Sequence, residues 1–179
     1  ECQRALDINP KQSYIYVIRR MVFVRMGKPR LALAAAQKGV EAGPEDPWCH
    51  FALSGEYARS QQDDKALAAI NRAIELAPPL RTSNRFYAER GPILLRLGRE
   101  EAALADFHKA IELAPHYPYT YKRRAALHFR LGRYDKALAD LEESLKLEPN
   151  DPSCVYWIDP GSVAKCSDEE FREGIFRLA

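Results

Sequence analysis

Prolines at a nearly constant spacing constrain the fold of this chain more than any other feature of its sequence. Five of them each close a stretch that carries apolar residues at helical spacing: Pro10, Pro44, Pro78, Pro115 and Pro149. Their successive separations are 34, 34, 37 and 34 residues. A fixed period of this length is the signature of a repeat array, in which each unit packs on its neighbours. The sequence therefore predicts several copies of one small structural unit.

Each period contains two amphipathic stretches joined by a short turn. Gly27, Gly98 and Gly132 occupy three of the four turns, and glycine readily takes the left-handed backbone that follows a helix. Gln61 stands at this place in the remaining turn. We expect a helix–turn–helix unit in each period. The predicted helices cover residues 13–26, 29–42, 47–60, 63–76, 84–97, 100–113, 118–131 and 134–147.

Small residues recur at two fixed places in the second helix of each unit. Twelve residues before the closing proline stand Ala32, Ala66, Ala103 and Ala137, and five residues before it stand Gly39, Ala73, Ala110 and Ser144. Between these places lie the larger residues Ile70, Phe107 and Leu141. The pattern predicts close helix–helix contacts at the small residues, because a bulkier side chain there would push the backbones apart.

This pattern resembles the tetratricopeptide repeat family, whose unit of roughly 34 residues is a helix–turn–helix. The fourth unit carries the family pattern as Tyr121, Ala125, Gly132, Tyr134, Ala137, Leu141, Ser144 and Pro149. The first unit is degenerate, with Arg20 where a small residue is usual and Ala36 where a large one is. The resemblance covers about residues 1–151. It implies an all-α fold, a right-handed superhelical solenoid of antiparallel helix pairs.

The period divides the chain into successive segments. We expect the end of a preceding repeat at residues 1–12, a degenerate unit at 13–46, and further units at 47–80, 84–117 and 118–151. Residues 152–179 leave the pattern, and two interpretations stand for them: a divergent C-terminal cap, or the start of the next segment of the parent protein. Because Glu1 falls within an amphipathic pattern, we expect the chain to be a piece of a longer protein.

The resemblance implies that the first helices line a concave groove that binds a peptide or a segment of a partner protein. The candidate groove residues are Tyr14, Val17, Met21, Trp48, Phe51, Arg85, Tyr119, Lys122, Arg123 and Phe129. The aromatic and basic members would suit a segment with an apolar end and an acidic end. In a second interpretation, Tyr14, Trp48 and Phe51 pack between units. The five-residue carboxylate clamp of family members that bind chaperone tails is absent.

An arginine also recurs at the end of every first helix, as Arg25, Arg59, Arg96 and Arg130. A ladder of guanidinium groups would bind acidic ligands. We favour the simpler interpretation, in which each arginine lies near a helix C-terminus and interacts favourably with the helix dipole.

Charge distribution keeps nucleic-acid binding as an alternative. Residues 81–133 carry a net charge of +6, from 11 Lys/Arg and 5 Asp/Glu, and several aromatic residues. Residues 134–179 carry −6, and the whole chain only +2. A pI of about 8.4 is modest for a nucleic-acid binder, so we favour a protein partner.

No motif for catalysis, nucleotide binding or metal binding occurs in the sequence. The histidines are scattered, and Cys2, Cys49, Cys154 and Cys166 form no CxxC pair. We therefore expect a scaffold without catalysis, cofactor or metal, although such a module is also compatible with attachment to an enzyme in a longer protein. No apolar run approaches the roughly 18 residues of a membrane helix. The cysteines are expected to be reduced thiols in a cytoplasmic protein.

Overall fold

The computed structural model describes residues 13–78 and 81–149, together with the single positions Glu169 and Glu173. The expectations for residues 1–12 and for the segment 152–179 therefore lie outside the described residues. Within 13–78 and 81–149 the chain forms eight α-helices, one short 3₁₀ turn at Arg81–Ser83 and no strand. The helices are α1 (Ser13–Arg25), α2 (Pro29–Ala42), α3 (Pro47–Arg59), α4 (Asp63–Leu76), α5 (Asn84–Arg96), α6 (Glu100–Leu113), α7 (Pro118–Arg130) and α8 (Tyr134–Leu147).

The predicted helices are confirmed. All four second helices begin and end at the predicted residues, and the four first helices end one residue earlier than predicted. In α3, α5 and α7 the residue left out is the C-cap, namely Ser60, Leu97 and Leu131. Helix ends commonly differ by a residue between definitions.

The turns within the helix pairs share one left-handed backbone geometry. The φ angles of Gly27, Gly98 and Gly132 are 64°, 72° and 68°, and Gln61 adopts the same conformation with φ 58°. After Gln61, the Gln62 amide donates a hydrogen bond of 2.9 Å to the Tyr57 carbonyl. Such a bond satisfies a carbonyl group that the helix end would leave without a partner. A glycine is therefore favoured at this position but is not obligatory.

The chain consists of two compact units, each larger than one repeat: the first unit is residues 1–98 and the second unit is residues 99–179. The first unit contains α1 to α5, in which each helix packs on the next and α1 also contacts α3. The second unit contains α6 to α8, where α6 packs on α7 and α7 on α8. Within each of the two compact units, successive helices thus bury their apolar faces against one another.

Small residues at the two recurrent places are buried, as predicted. The four residues at the first place are fully buried, with 0% exposure: Ala32, Ala66, Ala103 and Ala137. At the second place, Ala73 and Ala110 are also at 0%. The large residues between them, Ile70, Phe107 and Leu141, are also at 0%. At Gly39, an added Cβ would lie 3.3 Å from the Tyr16 Cβ, which explains the smallest side chain at this place.

Candidate partner-binding surface

The start of α3 is held in place by a cap that the sequence encodes locally. The Asp46 carboxylate accepts hydrogen bonds from the Trp48 amide at 2.9 Å and from the Ser13 hydroxyl at 2.7 Å. Pro47 occupies the first turn, where its missing N–H has no cost. The same carboxylate therefore begins α3 and ties it to the start of α1. This arrangement sets the position of Trp48 in the first unit.

Three aromatic rings connect α3 with α5. The Trp48 and Phe86 ring centroids are 4.9 Å apart, and those of Phe51 and Phe86 are 5.2 Å apart. Phe86 is buried, Phe51 packs against the core formed by Phe86 and its neighbours, and Trp48 remains 37% exposed. The predicted candidates Trp48 and Phe51 thus pack between helices, while part of the Trp48 ring stays at the surface.

Arg85 lies over the outer side of this aromatic cluster. Its guanidinium carbon is 5.8 Å from the Trp48 ring centroid and 5.7 Å from that of Phe51. The side chain is exposed, and no carboxylate among the described residues forms an ion pair with it. A cation–π contact holds the guanidinium by its charge and does not require its N–H donors. Three of the predicted site residues therefore form one surface.

A cavity of about 220 Å³ opens next to this cluster, between α1, α3 and α5. Its lining comprises Arg20 from α1, a run of α3 residues, and three residues from α5; the full set is Arg20, Phe51, Ala52, Ser54, Gly55, Ala58, Arg59, Arg85, Glu89 and Ile93. Three guanidinium groups thus meet at one cavity.

A buried carboxylate pairs with two of the arginines that line this cavity. Glu56 is 4% exposed. Its Oε1 accepts a hydrogen bond of 2.7 Å from Arg20 Nη1 and another from Arg59 Nη1. Burying a carboxylate is tolerated when it is paired and hydrogen-bonded. This ion pair explains the unusual Arg20 of the degenerate first repeat (13–46). Arg20 can stand where a small residue is usual because Glu56 provides its partner.

Sequence reasoning did not select Arg20, Glu56 or Arg59 as site residues. Arg20 and Glu56 are 36 residues apart, so no local pattern connects them. One signal was present: an arginine at a position usually small, and a glutamate on the apolar side of α3. Opposite charges at two positions of adjacent repeats where charged residues are unusual would have indicated that the two side chains contact each other.

The candidates on α1 have no place in this cavity. Tyr14 and Met21 are exposed at 57% and 48%, and Val17 is half-buried. Ile18 and Val22 are exposed on the same helix, and Met26 is exposed in the turn directly after it. These apolar side chains form a separate exposed surface of the first unit.

The second unit places its predicted candidates in two different environments. Arg123 stacks on Tyr119, 4.9 Å from the ring centroid, and donates a hydrogen bond to its hydroxyl. Phe129 packs on Tyr134 with ring centroids 5.6 Å apart. The Lys122 side chain, by contrast, is only 8% exposed, and its Nζ lies 3.3 Å from Glu148 Oε2. Lys122 therefore stabilises the pair of α7 and α8 and offers little surface to a partner.

Three of the four recurrent arginines pair with carboxylates, two of them across neighbouring repeats. Arg96 Nη2 lies 2.6 Å from Asp63, and Arg130 Nη2 lies 3.1 Å from Glu100. Arg59 pairs with Glu56. These three arginines therefore have carboxylate partners within the chain, and the helix-dipole interpretation stays a prediction.

The Cys49 thiol is buried and lies 3.5 Å from the Asp46 carboxylate. Burial raises the pKa of the Cys49 thiol to about 12, and the nearby Asp46 carboxylate contributes to this shift. A thiol of this kind stays protonated and is a poor nucleophile. Within residues 13–78 and 81–149, no group of three or more His, Cys, Asp or Glu side chains is arranged to hold a metal ion. No helix in these ranges combines the length and apolar character of a membrane span.

Comparison with known proteins finds other sequences with the same repeat pattern. Sequence models described as tetratricopeptide repeat match residues 21–80, 85–117 and 118–151. The TPR repeat-containing protein MJ1428 of Methanocaldococcus jannaschii is 36% identical over 58 residues. This segment is 32% of the present chain but only 8% of that relative's length.

Solved structures of similar fold have low sequence identity. TTC0263, a TPR protein of Thermus thermophilus, superimposes with a TM-score of 0.75 at 22% identity, covering 91% of this chain and 87% of that one. PilF of Pseudomonas aeruginosa gives 0.78 at 16%, with coverage of 99% and 79%. YrrB, described as a TPR protein with an unusual peptide-binding site, gives 0.69 at 16%, with coverage of 99% and 88%.

These structural likenesses concern the fold alone, and they agree with an all-α array of helix pairs. The matches to the repeat pattern extend from residue 21 to residue 151 with one short gap. They include all or part of every described helix. The chain therefore belongs to the tetratricopeptide repeat family.

Proposed function

We propose that this chain is a non-catalytic protein-interaction module that binds an extended peptide or partner segment. In the first unit, the binding surface comprises the exposed faces of α3 and α5 around Trp48, Phe51 and Arg85, with the adjoining cavity. The observation that carries the proposal is the exposed Arg85 guanidinium, whose carbon lies 5.8 and 5.7 Å from the centroids of two aromatic rings and which has no ion-pair partner among the described residues. Aromatic residues and arginine are the side chains that most often dominate binding energy at protein interfaces.

Membership of a repeat family supports a binding function, since stacked helix pairs create extended surfaces for partners. The similar fold of YrrB, described as having a peptide-binding site, is consistent with a peptide ligand. In the second unit, Tyr119, Arg123 and Phe129 are further candidate contacts. Lys122 is left out of the proposed surface because it is buried and paired with Glu148.

The basic segment gives less support to nucleic-acid binding than its charge suggests. Arg124 makes two hydrogen bonds to Asp140, at 2.9 and 2.6 Å. Arg130 and Arg133 pair with Glu100 and Glu101. Nucleic-acid affinity comes largely from cations that neutralise phosphates, and a cation already paired contributes less. A protein partner therefore remains the favoured ligand.

A peptide selection tests the proposal on the whole chain. A displayed random dodecapeptide library is selected on the wild-type protein, and the affinities of the selected peptides are measured by fluorescence anisotropy. We expect Arg85→Ala to weaken binding at least about tenfold, as for loss of a hydrogen bond to a charged group.

The matched control is Arg72→Ala, which removes the same charge from an exposed position on α4, where Arg72 pairs with Glu45 and Glu75. It should leave the affinity within about twofold, because exposed ion pairs contribute little. Equal affinity of the Arg85→Ala and wild-type proteins, or failure to select any peptide, would contradict the proposed function.

A further inference from the structure

We infer that the exposed side of α1 binds an α-helix of a partner protein, one that carries an apolar stripe with acidic residues beside it. The proposed function places its surface on α3 and α5, so this inference goes beyond it and concerns a second surface. Three observations of the first unit carry it: an apolar ridge that is open to solvent, the packing of the corresponding positions in later repeats, and an excess of positive charge.

A ridge of apolar side chains runs along α1. We call it the α1 ridge, and its members are spaced four residues apart: Tyr14, Ile18, Val22 and Met26. Their exposures lie between 45% and 57%. Met26 continues the helical row, since its amide donates a hydrogen bond of 3.0 Å to the Val22 carbonyl. Side chains four residues apart form the ridges that fit into the grooves of a second helix. The α1 ridge thus has the spacing required for packing against a helix.

The next two repeats show what packs at the corresponding positions. Counted back from the closing proline, Val22 corresponds to Glu56 of α3 and to Ile93 of α5. These two residues are 4% and 3% exposed, whereas Val22 is 45% exposed. Glu56 is covered by α1, because Arg20 of that helix donates a hydrogen bond of 2.7 Å to it. This face of α3 therefore receives another helix, and the same face of α1 is open to one.

Local charge indicates which residues flank the apolar stripe of the partner helix. Residues 13–42 contain six Lys/Arg and one Asp/Glu, whereas residues 47–76 of the next repeat contain three and four. Four of the six cations are exposed and form no ion pair within the described structure: Arg25, Lys28, Arg30 and Lys38. Arg25 lies between Val22 and Met26 of the α1 ridge. Acidic residues on the partner helix would complement this charge, which favours specific and fast association.

A helix of another protein fits the α1 ridge better than two other ligands do. A second copy of this chain that paired its own α1 ridge with this one would bring two positive surfaces together, which is unfavourable. An anionic membrane would also attract the positive charge. The corresponding face of α3 packs against a helix, however, and the spacing of the α1 ridge is that of helix packing. These observations favour a helical ligand.

The test uses a designed helical peptide of about 18 residues, long enough to be partly helical alone. It carries leucines at helical spacing and glutamates on both sides of them. A second peptide keeps the leucines and replaces every glutamate by lysine. Each is titrated against the full chain, and binding is followed by fluorescence anisotropy. We expect saturable binding of the glutamate peptide and at least about tenfold weaker binding of the lysine peptide.

The double variant Ile18→Gln/Val22→Gln removes the apolar centre of the α1 ridge. We expect it to weaken binding of the glutamate peptide at least about tenfold, because the apolar area that the peptide would bury is lost. Its unfolding midpoint in urea should stay close to that of the wild type, since both side chains are exposed. Tyr117→Gln is the matched control, a change at an exposed aromatic residue of the second unit. It should leave the affinity within about twofold.

Several outcomes would overturn the inference. Equal affinity for the two peptides would exclude the acidic flanks, and unchanged binding by the double variant would exclude the α1 ridge. A wild-type dimer in sedimentation equilibrium that the double variant loses would assign the ridge to a second copy. Binding to phosphatidylserine vesicles more tightly than to the glutamate peptide would assign it to a membrane. If the glutamate peptide does not bind but selected dodecapeptides still depend on Arg85, the inference fails and the proposed function stands.

Discussion

At the residue scale, the Arg20–Glu56–Arg59 cluster joins α1 to α3 through a single carboxylate. Side-chain exposures of 14% for Arg20 and 3% for Glu56 place this ion pair away from bulk water. A buried pair contributes little net stability compared with apolar residues, but removing one partner leaves the other charge buried without compensation. Glu56 therefore matters mainly because it compensates the charge of Arg20, and the pair itself adds little to the free energy of unfolding.

Glu56→Gln keeps the shape of this side chain and removes its charge. We expect the free energy of unfolding to fall by roughly 3 kcal/mol, the low end for broken buried pairs, because Arg20 keeps some solvent access. The measurement is urea unfolding followed by circular dichroism. Glu75→Gln is the matched control, since Glu75 is exposed and lies 3.3 Å from Arg72. An equal loss of unfolding free energy in both variants would contradict the expectation that the buried Glu56 ion pair matters more than an exposed one.

At the scale of the element, the helix pairs depend on one left-handed residue between their two helices. An added Cβ at Gly27, Gly98 or Gly132 would meet no atom within 4 Å. The preference for glycine in these turns is therefore a backbone effect and not an effect of packing. Gln61 carries the corresponding strain, because a side chain in the left-handed region costs about 1–2 kcal/mol.

Gln61→Gly relieves this strain in the turn between α3 and α4. We expect a gain in the free energy of unfolding of about 0.5 kcal/mol, since the relieved strain exceeds the extra entropy that glycine loses on folding. Gly132→Ala imposes the same strain in the second unit and should cost about 1 kcal/mol. Thermal and urea unfolding of both variants give the comparison. A loss of stability in Gln61→Gly would show that contacts of the Gln61 side chain outweigh its backbone strain.

At the scale of the whole molecule, two histidines are expected to make stability depend on pH, because burial lowers the pKa of both His108 and His128. Of the four histidines, His128 alone is buried, with 5% exposure. Its Nδ1 has no hydrogen-bond partner within the described structure. Burial lowers the pKa of His128, and the nearby Arg124, Lys136 and Arg133 lower it further, while Asp140 acts in the opposite direction.

The folded state thus keeps His128 neutral at a pH where the unfolded chain binds a proton. Its contribution to stability is fully present above the unfolded pKa of about 6.5 and is lost as the pH falls below that value. In His128→Leu we expect a smaller loss of stability between about pH 6.5 and pH 5 than in the wild type. His116→Gln, a change at an exposed position, serves as the control. Parallel pH profiles for His128→Leu and wild type would contradict this assignment.

The sequence by itself determined the repeat architecture, because the residues that encode it are local and recur in each period. Ala66, Gly98 and Ala103 mark helix contacts and turns through their spacing alone, and all eight helices were predicted to within one residue. Of the candidate site, Trp48, Phe51 and Arg85 were selected from their places on the first helices. Their selection relied on the pattern of the family and not on any contact between them.

Tertiary structure decided which of those candidates share a surface and which do not. Arg85 and Phe86 of α5 both contact Trp48 of α3, and Arg20 meets Glu56 across 36 residues of sequence. Lys122 is withdrawn from the surface by Glu148. Contacts of this kind depend on how two helices face each other, and one side chain in the repeat can alter them. A repeating pattern predicts the helices because it averages over the copies, whereas a binding site depends on the residues in which the copies differ.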